Sequence, residues 1–132
     1  MDDVKLKISK SGLLKEALAK LHIDEVNTDP VRDKYGIIGY EISKHVLVAK
    51  PMFFCGDMVS CHKDVAWRAI KKGKKILFYI SLYNSFYEFN ATEVLSNGFR
   101  NRRGGAEMLN FYVSTGQKVS MFSLMANQLT LF

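Results

Sequence analysis

The stretch Asp64–Phe89, DVAWRAIKKGKKILFYISLYNSFYEF, decides how this chain is read. Asp64 is a residue type that caps helix N-termini, so a helix is expected over Val65–Lys72. Gly73 stops it, because glycine adopts the left-handed conformation that closes a helix C-terminus. Lys75–Ile80, KILFYI, is a short apolar run of strand length and reads as a buried strand. Phe86–Phe89, FYEF, reads as a second, shorter strand.

Towards the C-terminus, Asn90 followed three residues later by Glu93 has the form of a capping box. It opens a short helix that ends at Asn97–Gly98. A basic loop, FRNRRGG, is expected next, and then two strands over Met108–Val113 and Lys118–Met125. Towards the N-terminus, Gly36–Ile42 and His45–Phe54 are β-rich runs separated by Ser43–Lys44. Ser-Lys lacks the positive-φ residues of a primed two-residue turn, so a slightly longer turn is expected. Pro51 places the far end of the second run at an edge or a bulge. Before these, Ser11 caps a helix to about His22 whose Leu14, Leu18 and Leu21 share a face. The following IDEVNTDP ends it, since Asp, Asn and Thr compete for backbone hydrogen bonds and Pro30 biases Asp29 away from helix. The expected order is α-β-β-α-β-β-α-β-β, a single α+β domain over residues 1–132 with a mixed sheet.

Length and composition agree with that reading. A chain of 132 residues buries enough surface for one core, and 48% hydrophobic with 24% charged residues is a globular composition. No apolar run is long enough to span a membrane, and the charged N-terminus lacks the apolar stretch of a signal peptide. Cys55 and Cys61 are too few for a disulfide framework, so a cytoplasmic protein with reduced thiols is expected. The net charge of +6 favours an anionic partner, although solubility alone is an alternative. The cations gather at Lys71, Lys72, Lys74 and Lys75 and at Arg100, Arg102 and Arg103. The first group sits at a helix C-terminus, where part of its charge offsets the helix dipole. The second has no such use, and arginine forks pair with phosphates. Tyr35, Tyr83 or Phe99 would supply base stacking beside them. A solvated basic loop is the alternative.

The element order from His45 to Leu95 resembles the second half of the PD-(D/E)xK nuclease fold, which includes restriction enzymes and Holliday-junction resolvases. That resemblance implies a Mg²⁺ held by acids on adjacent strands, with a lysine that positions the attacking water. Lys50 matches the motif lysine. Val48-Ala49-Lys50 stands where Glu-x-Lys is expected, and no Pro-Asp precedes it. Glu41 and Asp57 are then the candidate metal ligands, with Glu41, Asp57 and Lys50 as the candidate catalytic set. A zinc site from His45, Cys55, Cys61 and His62 is a further candidate, with wider spacing than structural zinc sites use.

The last five residues, Gln128-Leu129-Thr130-Leu131-Phe132, resemble the sliding-clamp-binding pentapeptide, which implies a docking tail over 126–132. Gln128 would anchor through its amide while Leu129, Leu131 and Phe132 supply apolar contacts. The opposing reading is a final strand that packs the same side chains into the core. Three functional readings stay open. One is a DNA-associated protein, as a divergent Mg²⁺-dependent endonuclease in repair, recombination or replication. Another is a non-catalytic nucleic-acid-binding or inhibitory module of a mobile element or virus. The third is a protein-interaction domain whose charge is incidental. A homodimer also stays open.

Overall fold

The structure is a computed structural model, and it describes residues 29–34, 36–42, 44–49, 52–54, 57–80, 83–103, 105–120 and 124. The expected first helix, Ser11–His22, and the tail Gln128–Phe132 lie outside the described residues.

The α+β class holds. In chain order the elements are β1 (Asp29–Asp33), β2 (Gly36–Glu41), β3 (His45–Val48), β4 (Met52–Phe54), β5 (Met58–His62), α1 (Lys63–Lys72), β6 (Lys75–Ile80), β7 (Ser85–Phe89), α2 (Ala91–Asn97), β8 (Phe99–Arg103), β9 (Ala106–Tyr112) and β10 (Gln117–Val119). A 3₁₀ turn, Val113–Thr115, links the last two strands. One mixed sheet runs β1-β2-β3-β6-β7-β10 and a second runs β4-β5-β9-β8. β3 and β6 are parallel neighbours, with His45 opposite Lys75. Parallel neighbours need a crossover, and here it carries β4, β5 and α1.

KILFYI is the centre of the fold because both faces of its sheet are covered. Ile76, Phe78 and Ile80 look into the main core with Val46, Val48, Val59, Leu109 and the α1 residues Val65, Ala66 and Ala69. Leu77 and Tyr79 look the other way, into a second cluster with Leu47, Phe86 and Leu124. Alternation therefore buries every second residue on each side, which is why the run looks continuously apolar. Phe78, Phe89 and Phe111 tie the two sheets together by edge-to-face contacts, with ring centroids 5.6, 5.7 and 4.8 Å apart.

Local signals set the helix ends. Gly73 has φ 65° and its N–H closes on the Ala69 and Ile70 carbonyls. Asn90 Oδ1 accepts from Glu93 N at 3.1 Å and so caps α2. The α1 cap differs from expectation: His62 Nδ1 accepts from Asp64 N at 3.0 Å, and Asp64 sits in the first turn. His62 Nε2 lies 3.1 Å from Asp33 Oδ2, and Asp33 Oδ1 accepts from Gly36 N. One carboxylate thus pins the β1–β2 turn to the start of α1.

Several strands depart from the sequence reading. The run His45–Phe54 divides into β3 and β4, which belong to different sheets. Asp29–Asp33 pairs with β2 despite Pro30, because β1 is an edge strand. Phe99–Arg103, expected as a loop, is an edge strand paired along its length with β9. Its charged residues are what edge strands carry, and they mask the β pattern.

Candidate nucleic-acid interface

The C-terminal turn of α1 and the loop that follows deliver lysines to one end of β6. Lys71 and Lys72 are exposed and make no ion pair among the described residues. Lys75 N bonds to Lys44 O at 3.1 Å, which brings the exposed Lys44 of the β2–β3 turn to the same end. Two carboxylates sit beneath these cations, one on each face of the sheet. Glu41, with a side chain 7% exposed, lies 2.7 Å from Arg68 Nη1 and 3.3 Å from Lys74 Nζ. Glu88 lies 2.9 Å from His45 Nε2 and 3.3 Å from Lys75 Nζ. Burial alone would raise both carboxyl pKa values, but hydrogen bonds and charge from these partners hold them below the ordinary 4.5. The acids are thus taken up by these partners, while Lys44, Lys71 and Lys72 face solvent with no ion pair among the described residues.

This arrangement does not make the expected metal centre. Glu41 is bonded to a residue just before β6, whereas Asp57 accepts the Tyr83 hydroxyl just after it, at 3.0 Å. Six residues of strand separate those points, about 17 Å at 3.3 Å per residue. Asp57 sits at φ 66° in the β4–β5 turn, in the other sheet. Glu41 and Asp57 therefore do not share a Mg²⁺ site, because two cations already take up the Glu41 carboxylate and the topology sends Asp57 to the far end. Lys50 lies outside the described residues. Among the described residues no three His, Cys, Asp or Glu side chains are grouped to hold a metal ion. The zinc candidates are likewise committed elsewhere. His45 is hydrogen-bonded to Glu88, and burial, which outweighs the pull of Glu88, lowers its pKa from 6.5. His62 caps α1. Burial pushes the Cys61 thiol up to about 12, and Cys55 lies outside the described residues.

The second cationic segment meets the other end of α1. On β8, cross-strand pairing puts Arg100 and Arg102 on one face, opposite Leu109 and Glu107 of β9. Arg100 Nη1 lies 2.8 Å from Glu107 Oε1, and Lys63 Nζ lies 3.0 Å from Glu107 Oε2. These two hydrogen bonds hold the Glu107 pKa below 4.5. Arg102 is exposed and makes no ion pair among the described residues. Arg103 belongs to the same strand. From Lys63 the exposed face of α1 continues through Trp67, 51% exposed, to Lys71. These three stand at i, i+4 and i+8, so they form one stripe about 12 Å long. The stripe joins the two cationic segments. Lys44, Lys63 and Trp67 were absent from the sequence-based candidates. For Lys63 and Trp67 the missed signal was their spacing of eight and four residues from Lys71, which puts all three on one helix face. Lys44 had no local signal.

No protein-family model, no curated protein and no solved structure matches this chain. Among the described residues no helix is long and apolar enough to cross a membrane.

Proposed function

We propose that the protein binds nucleic acid, DNA first of all, along the outer face of α1 and the basic turns at its two ends. The observation that carries this is the separation of charge. Glu41 is buried and Glu88 half-buried against their own partners, while Lys71, Lys72 and Lys44 project from the same end with no ion pair among the described residues. Such a surface attracts a polyanion and releases its counterions on binding. The stripe Lys63–Trp67–Lys71 gives the contact a direction, running from the β8 arginines towards Lys74 and Lys75. Backbone contacts of this kind position a ligand without reading its sequence. The test is fluorescence anisotropy with a labelled oligonucleotide over a salt series. Affinity should fall steeply between 50 and 200 mM salt, roughly tenfold for every two phosphate contacts. Affinity that is flat with salt would reject the proposal.

The same reading takes Gln128, Leu129, Leu131 and Phe132 as a docking tail for a sliding clamp. It is supported by the pentapeptide alone. Deleting Leu129–Phe132 should abolish co-elution with a clamp and leave the melting temperature unchanged, whereas a core strand would show the reverse.

A further inference from the structure

The face of the second sheet that looks away from the core carries two large exposed rings. Phe99 is 60% exposed and Tyr112 is 42% exposed. Phe99 pairs across the ladder with Asn110, so Tyr112, two residues on, projects from the same face. The rings meet edge-to-face at right angles with centroids 6.4 Å apart. Phe99 is the first residue of edge strand β8, and Arg100, the next, points to the opposite side. A chain laid along that edge therefore meets ring faces on one side and guanidinium groups on the other. Around the edge, Arg100 shares Glu107 with Lys63, and Lys63 begins the stripe that holds the exposed Trp67 between two lysines.

From this alternation we infer that the nucleic acid bound is single-stranded, with unpaired bases stacked on Phe99, Tyr112 and Trp67 and phosphates lying on the intervening cations. The inference rests on the nucleic-acid reading above and narrows it. A duplex keeps its bases stacked on one another and presents only phosphates and groove edges, so it has no use for exposed rings. A single strand offers a π-face at every nucleotide, and aromatic platforms interleaved with cations recognise that chemistry without regard to sequence. The surrounding charge also selects the occupant. Lys63 and Lys71 flank Trp67 on α1, and Arg100 follows Phe99 in β8, so these cations repel a basic protein partner and attract a polyanion, while Glu93 is the acid that lines the hollow with Phe99 and Tyr112.

Trp67 is the single tryptophan in the chain, so its emission reports on stacking directly. The experiment titrates the whole protein with a twenty-nucleotide oligothymidylate and with a twenty-base-pair duplex, following Trp67 emission and the anisotropy of labelled strands. The single strand should quench Trp67 and bind at least tenfold tighter than the duplex in about 150 mM salt. Phe99→Ala should weaken single-strand binding roughly tenfold, within the range that loss of one stacked base produces, and leave duplex binding unchanged. Because Phe99 is exposed, that variant should melt with the parent protein, and a Trp67→Phe variant checks the result with a stacking ring retained. Equal affinity for the two forms with Trp67 unquenched would overturn this inference and leave the broader reading standing. No binding of either form at 50 mM salt would overturn both.

Discussion

Glu41 and Glu107 have the same immediate surroundings and opposite settings. Each carboxylate is held by one lysine and one arginine, at 3.3 and 2.7 Å for Glu41 and at 3.0 and 2.8 Å for Glu107. The Glu41 side chain is 7% exposed at the end of a strand covered on both faces, while that of Glu107 is 24% exposed beside an edge strand. Counting ion pairs would rank them together. Desolvation separates them: a buried carboxylate must keep its partners, and a partly hydrated one holds them loosely. The first set therefore belongs to stability, and under the proposed function the second is a reserve of cations that a competing phosphate would take over.

The largest expected effect tests the buried half of that contrast. Glu41→Ala leaves Arg68 and Lys74 facing each other over apolar surface. Both cations are partly exposed and regain some hydration, so the loss should be about 2 kcal/mol, below the range for fully buried pairs. For a chain of this length that lowers the melting temperature by about 8 °C, measurable by circular dichroism. The pH dependence follows from the depressed carboxyl pKa. The contribution is complete above 4.5 and is lost as pH falls through the folded-state value, so Glu41→Ala should flatten the acid limb of a stability profile. An unchanged melting temperature would mean that burial does not distinguish the two glutamates.

Next in size is the free-cation surface that Glu41 leaves uncompensated. Lys71→Ala with Lys72→Ala removes two charges that make no ion pair among the described residues, so folding should be unaffected. Nucleic-acid affinity should fall about tenfold at moderate salt, and the slope of log affinity against log salt should drop by about 1.5. A full-strength slope in this double variant would move the interface elsewhere.

A smaller effect concerns His45, whose Nε2 meets Glu88 while its buried Nδ1 has no hydrogen-bond partner among the described residues. Burial lowers its pKa from 6.5, so the unfolded chain takes up a proton more readily than the folded one. Stability is complete above pH 6.5 and should decline as pH falls below it towards the folded-state value. Urea melts at pH 7 and pH 5 should differ in the parent protein and differ less in His45→Gln.

The smallest effect sharpens the exposed half. Glu107→Gln keeps the shape and releases Lys63 and Arg100. The melting temperature should move by no more than about 2 °C, while nucleic-acid affinity rises a few-fold with a steeper salt dependence. A large thermal loss would show Glu107 to be a second structural carboxylate instead of a reserve.

The sequence alone was enough for the α1–β6–β7–α2 segment, because there the signals are local. Gly73 must reach a positive φ, Asn90 caps the next helix through its own side chain, and KILFYI has the length and composition of a covered strand. The reading failed at β8, where Asn and three arginines mask the β pattern of a strand whose partner β9 lies only 3 to 11 residues further along the chain. It failed again at His45–Phe54, since nothing within ten residues shows that β3 and β4 join different sheets. The candidate site divides in the same way. Clusters Lys71–Lys75 and Arg100–Arg103 are contiguous in sequence and legible as charge. Only the tertiary structure decides which of those cations remain free, since Lys74, Lys75 and Arg100 are paired with acids 33, 13 and 7 positions away. It also decides that Glu41 and Asp57 stand at opposite ends of β6 and that Lys44, Lys63 and Trp67 join the basic surface. Composition records charge, but the uncompensated field at a surface depends on which partners the fold brings within a few ångströms, and no local pattern carries that information.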